Sequence, residues 1–284
     1  MLLNMAEQNR DKLNLLQQLL PEGLLVHAAW LREHGYPSNL VAHYVKRGWL
    51  ESPARGVYRR SGPPLKWQHV VASLQNLLAL PVHVGGLTAL EIQGKGHFVR
   101  VSDIQPVHLY SPSALPSWLF RLPIKDQFIH YRARLFDEAE HELAIRPAHV
   151  AEDPGRSAGP RGIGLTEITW GGYDWPLTCS TLERAYLELL DEIVAPDLIA
   201  HANLIMQGLT TLSPRRLKPL LAACRSVKVK RLFFALAERN DHQWLREIDA
   251  ADFDLGKGKR QLAPGGKLHP KYLITLPKDL GDAY

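Results

Sequence analysis

LLVHAAWLREHGYPSNLVAHYVKRGWLESPARGVYRR, residues 24–60, decides how this chain is read. Apolar residues at Val26, Ala29, Trp30 and Leu31 recur near helical spacing, so a helix is expected over 26–33, with Gly35 as its left-handed stop. Tyr36 and Pro37 turn the chain, and Ser38 is the expected N-cap of a second helix. There Leu40, Val41, Tyr44 and Val45 form one apolar stripe, while Asn39, Ala42, His43, Lys46 and Arg47 fall on the other flank. Gly48 ends this helix, and Trp49 and Leu50 dock the chain back onto a small core. Pro53-Ala54-Arg55-Gly56 then turns between two extended pieces, the second being Val57-Tyr58-Arg59-Arg60. Helix, tight turn, helix and basic hairpin make the layout of a winged helix-turn-helix.

The polar flank of the second helix is either an ordinary solvated face or a surface that reads DNA. It carries no acid, and it leads into a hairpin bearing Arg55, Arg59 and Arg60. Asn and Arg can bond base edges in pairs, whereas Lys and Arg neutralise phosphates. A helix start offers backbone N–H groups and the positive end of its dipole to a phosphate, and Ser38 adds a hydroxyl there. The expected DNA contacts are therefore Asn39, His43, Lys46 and Arg47 in the groove, Ser38 on a phosphate at the helix start, and Arg55, Arg59 and Arg60 gripping backbone or minor groove from the wing.

The ordered set HGYPSNLVAHYVKRGWLE and RGVYRR resembles the N-terminal winged helix of the AbiEi family, the antitoxin and repressor half of bacterial abortive-infection toxin–antitoxin systems. A preceding helix, supplied here by 9–20, and the stretch VHVGGLTALEIQGKGHFV at 82–99 are similar to the rest of that pattern. The resemblance implies a repressor that binds inverted repeats of double-stranded DNA in its own promoter. It also implies that the C-terminal domain counters a nucleotidyltransferase-like toxin, whether or not the two form a stable complex. The protein itself would be a monomer or a dimer assembled on DNA.

Composition agrees without deciding. With 284 residues and 45% hydrophobic content the chain can bury a substantial core, and its net charge of +5 suits a polyanionic partner. Cys179 and Cys224 stand far apart with no partner motif, which fits a reducing cytoplasm. No apolar run is long enough to span a membrane. Ser61-Gly62-Pro63-Pro64 is the expected seam, dividing a winged-helix domain over 1–65 from a C-terminal domain over 66–284. That second part reads as helix over 67–80, strands over 105–110, 127–133, 165–170 and 173–177, and helices from about 185 onward. Ser180 and Glu183 have capping-box spacing before the first of these. The expected class is α+β: a winged helix-turn-helix, then a larger mixed α/β domain with an antiparallel sheet.

Between Ser213 and Phe233, Arg215, Arg216, Lys218, Arg225, Lys228, Lys230 and Arg231 occur without an acid. This block is either a solvated face or a second surface for nucleic acid or an acidic partner. Catalysis is not expected. Residues 137–142 gather carboxylates and His141, but such neighbours fan around a helix axis, and Asp103 starts an acid pattern that Gln105-Pro106-Val107 does not finish. No phosphate-loop frame, no paired zinc-ligand spacing and no cofactor motif is present. Two other classes stay open: a DNA-processing nuclease with a winged-helix targeting module, and a winged helix that binds protein.

Overall fold

A short strand opens the winged helix where a helix was expected. In the computed structural model, which describes residues 2–96, 106–136, 162–170 and 173–281, α1 (Leu2–Leu19) is followed by β1 (Leu25–His27) and α2 (Ala28–Glu33). Leu25 and Val26 are fully buried and pair antiparallel with Arg59 and Tyr58. The Nδ1 of His27 then accepts the Trp30 N–H at 3.0 Å and caps α2. Three residues are too few to display alternation, and their pairing partner lies more than thirty positions away, so local periodicity assigned Val26 to the helix.

α3 (Ser38–Lys46), β2 (Leu50–Ala54) and β3 (Val57–Arg60) complete the module, with strand order β1-β3-β2. Gly35 adopts φ +85°, the left-handed conformation that lets the chain leave α2 and enter the turn at low cost. Tyr36 fixes that turn from beneath: it is buried, and its hydroxyl donates to the Lys12 carbonyl of α1 at 2.9 Å. Pro37, not Ser38, is the N-cap of α3; Ser38 is its first helical residue and makes no capping bond.

The chain continues through α4 (Trp67–Ala72), a π-helical turn (Ser73–Leu77), β4 (His83–Val84), α5 (Gly86–Ile92), β5 (Pro106–Ser111) and β6 (Gln127–Arg132). β7 (Leu165–Trp170) and β8 (Tyr173–Ser180) complete a five-stranded sheet of order β6-β5-β4-β8-β7. Its β4–β5 and β7–β8 pairs are antiparallel, and its β4–β8 and β5–β6 pairs are parallel. Four helices follow: α6 (Leu182–Glu192), α7 (Pro196–Gly208), α8 (Pro214–Ala223) and α9 (Val227–Asn240). Thr181 is the N-cap of α6 rather than Ser180, and Glu183 instead accepts the Ser213 N–H at 2.9 Å.

Strand alternation sorts this sheet into two unlike faces. Val84, Val107, Leu109, Leu177 and Cys179 share one apolar core with Leu16, Leu20, Leu31, Tyr44 and Val57 of the winged helix. That core runs through the expected seam at 61–64 without a break, by way of Val70, Val71 and Leu74. A hydrogen bond of 2.8 Å from the Leu25 N–H to the Ser73 hydroxyl reinforces the junction.

The intervening residues, His83, His108, Tyr110 and Ser180, meet a line of acids on α6 instead. Glu188 accepts from His83 Nε2 at 2.9 Å, Arg184 Nε at 2.8 Å, the Ser180 hydroxyl at 2.7 Å and the Gly86 N–H at 3.1 Å. Burial alone would raise its carboxyl, but His83 and Arg184 outweigh burial and hold it at about 2. A second core lies beyond α6, where Tyr186 and Leu190 pack with Phe233 and Leu236 of α9.

Candidate nucleic-acid interface

Helical periodicity places α3 with one stripe inward and one outward. Val41 and Tyr44 are buried, while Ser38, Asn39, Ala42, His43, Lys46 and Arg47 are exposed. Among the described residues the side chains of Ser38, Asn39, Lys46 and Arg47 have no hydrogen-bond or ionic partner. The first intrahelical bonds belong to Leu40 and Val41, both to the Pro37 carbonyl, which leaves the Ser38 and Asn39 N–H groups directed outward. A cationic, acid-free helix flank with open N-terminal amides suits a polyanion.

The wing divides its three arginines. Arg55 stands at the hairpin turn, exposed and without a partner among the described residues. Arg59 is not a contact residue: alternation along β3 turns it inward with Val57, where it is 7% exposed. Its guanidinium donates to Glu51 Oε2 at 2.8 Å and to the Pro63 carbonyl at 2.8 Å. Arg60 is also diverted, donating to the Gln17 carbonyl at 3.1 Å and reaching the Leu20 carbonyl at 3.5 Å. Those carbonyls belong to the last turn of α1 and its exit, which lack helical partners, and a cation there also complements the helix dipole. Sequence spacing could not separate the three, because the acceptors of Arg59 and Arg60 come from elsewhere in the chain.

A different outcome is therefore expected for two neighbouring substitutions. Arg59→Ala should lower stability by about 1–3 kcal/mol, the range for losing charge-assisted bonds in a mostly buried setting. Arg55→Ala should leave the melting temperature unchanged and weaken binding to DNA. Thermal melts run beside gel shifts check both, and a destabilised Arg55→Ala would contradict the assignment.

Trp49, expected in the core, belongs to this surface instead. It is 43% exposed, with its ring edge-on to His43 at 6.0 Å and to Tyr44 at 5.4 Å. The signal was available: Leu50 takes the inward position at the start of β2, which leaves its neighbour outside.

The second basic block is only partly a surface. Lys230 and Arg231 are buried, and Arg231 donates to the Leu255 and Gly258 carbonyls at 2.6 Å each, pinning the loop after α9. Lys228 donates to the Asp191 carbonyl at 2.8 Å and to the Ile193 carbonyl at 3.2 Å, closing the end of α6. Arg216 lies 3.8 Å from Glu183. Arg215, Arg216, Lys218 and Arg225 remain exposed. Their buried neighbours read as part of one charge run only because α9 carries cations on its inner side.

Asp103 and the 137–142 run lie outside the described residues. Among the described residues no three His, Cys, Asp or Glu side chains are grouped to hold a metal ion. No helix there is long and apolar enough to cross a membrane.

Two family models account for most of the chain. Residues 9–101 match the N-terminal domain of the AbiEi antitoxin transcriptional regulator, and residues 105–277 match the transcriptional regulator and AbiEi antitoxin of type IV toxin–antitoxin systems. The chain belongs to the AbiEi family. In AbiEi terms the boundary falls between residues 101 and 105, so the N-terminal unit includes α4, β4 and α5 as well as the winged helix. No curated protein matches the chain. Among solved structures, the crystal structure of the RV2827C protein from Mycobacterium tuberculosis aligns with a TM-score of 0.51 at 15% identity. The alignment covers 91% of this chain and 89% of that one, which establishes a shared fold for this AbiEi protein.

Proposed function

We propose that this AbiEi regulator represses its own operon by laying α3 in the major groove of inverted repeats upstream of its gene. The observation that carries this is the outward flank of α3, cationic and unpartnered, with Arg55 beside it on the wing. In this reading Asn39, His43 and Arg47 face base edges, Lys46 and Arg55 hold phosphates, and the Ser38 and Asn39 amides receive one more phosphate. Family membership supports a toxin partner, which we assign to the part of the chain after the winged helix.

Gel-shift titration of the full chain against its upstream DNA, over a salt series, tests the first part. If Lys46 and Arg55 each displace a counterion, log K should fall with log salt at a slope of about −2 per chain bound. A flat salt response, or equal affinity for an unrelated duplex, would remove the basis for operator recognition.

A further inference from the structure

Trp49 is locked in its backbone and open in its side chain. Gly48, at φ +74°, ends α3; its N–H donates to the Val45 carbonyl at 3.0 Å, and the Trp49 N–H donates to the Tyr44 carbonyl at 3.0 Å. These two bonds make a Schellman motif, which is completed by an apolar contact between Trp49 and Tyr44. Their rings meet at 5.4 Å. The Ser61 hydroxyl donates to the Gly48 carbonyl at 2.7 Å and anchors the turn from the end of the wing. A leucine at position 49 would complete the same motif and leave less apolar surface in water.

What the indole adds lies toward solvent. Trp49 is 43% exposed, and its ring stands near-perpendicular to that of the exposed His43. His43 and Arg47, four residues apart, share that edge of α3. The Nε1 of Trp49 has no hydrogen-bond partner among the described residues. Docking α3 in a groove would cover the ring and take this N–H out of water. The flank beside it, Asn39, Ala42, His43, Lys46 and Arg47, carries no acid to receive it. The acceptor then comes from the duplex, whose groove edges are lined by phosphate oxygens.

We propose that Trp49 is a backbone-contact residue of the interface: its Nε1–H donates to a phosphate oxygen at the groove edge, and its ring packs on the adjoining deoxyribose beside His43. This assignment rests on the docking of α3 in the major groove. An indole is neutral, so its contact displaces no counterion. It supplies affinity that salt does not erode, beside the salt-dependent part that Lys46 and Arg55 supply.

Trp49→Phe keeps an aromatic ring against Tyr44 and loses the N–H, so its melting temperature should match the parent's. In gel shifts of the full chain on the upstream duplex it should bind about three- to tenfold more weakly at every salt concentration, the effect of one lost hydrogen bond, with a salt slope parallel to the parent's. Lys46→Ala, by contrast, should make the slope shallower by about one. Duplexes carrying a neutral methylphosphonate at one phosphate at a time should include a position where the parent's advantage over Trp49→Phe is largely lost. Equal binding by Trp49→Phe and the parent overturns the assignment. So does a slope altered by a full unit in Trp49→Phe, or an advantage that no methylphosphonate position reduces. If the parent itself does not bind the upstream duplex, the docking of α3 falls and Trp49 with it; if the parent binds and Trp49→Phe binds equally, the role of Trp49 alone is removed.

Discussion

Glu188→Ala is expected to destabilise the protein by about 3–5 kcal/mol, the range for breaking a buried ion pair from one side. The side chain of Glu188 is 2% exposed and takes four donors from three separate elements and the strand that precedes its helix. Alanine would remove the shared acceptor of Arg184 Nε, His83 Nε2 and the Ser180 hydroxyl at once, although Arg184 Nη1 keeps the Ile163 carbonyl. In a chain of this size the melting temperature should fall by on the order of 10 °C. Glu188→Gln keeps the shape and one acceptor, and should fall between the two. A variant melting within a degree or two of the parent would show that the network is not a fastening point.

The same network sets a response to acid. The Glu188 carboxyl lies at about 2, below the ordinary 4.5, so its contribution is complete above about pH 4.5 and is lost as pH falls toward 2. Burial lowers His83 from its ordinary 6.5 even though Glu188 faces it, so protons are taken up more readily by the unfolded chain below that value. Glu192 opposes this in part, because burial raises its carboxyl. The Glu188 and His83 effects act together, and thermal stability should decline from about pH 6.5 downward, steepening below 4.5. Removing Glu188 should flatten the acid limb of that profile.

The second large effect is expected on DNA. Lys46→Ala together with Arg47→Ala should reduce affinity for the upstream duplex by about 2–4 kcal/mol, roughly 30- to 1,000-fold, and make the salt slope shallower by about one. Both side chains are exposed and unpartnered, so the fold should be untouched and the melting temperature unchanged. Repression of a reporter behind the upstream region should lift in the same variant. Full repression by the double variant would move the recognition surface off α3.

How much of this was legible beforehand follows from where each partner sits in the chain. α3 could be read from residues 38–47 alone, since its stripe, its turn and Gly48 are local and its inward side chains need only some apolar surface to meet. The wing arginines were seen as a group, yet only Arg55 is left exposed and without an internal partner among the described residues. Whether Arg59 points outward depends on Glu51 across the hairpin and on the Pro63 carbonyl, which no spacing rule connects. His83 and Glu188 are 105 positions apart, and their meeting depends on which strands pair. Buried acids on α6 look in sequence like any amphipathic helix, because polarity is the usual mark of an outer face. The block at 215–231 was divided for the same reason, with Arg231 turned inward to hold carbonyls while Arg215, Arg216, Lys218 and Arg225 stay exposed.

Because the winged helix and the underside of the sheet close over one apolar core, the winged helix is not a detachable bead. Cutting the gene at the proline pair would bare Val70, Leu74, Val107 and Leu177 to water on one fragment and Leu16, Leu31 and Val57 on the other. Recombination that trades whole reader modules between relatives would carry that penalty every time. New operator preferences in this lineage would therefore be acquired by exchanging single side chains along the outer flank of one nine-residue helix, with the framework inherited intact.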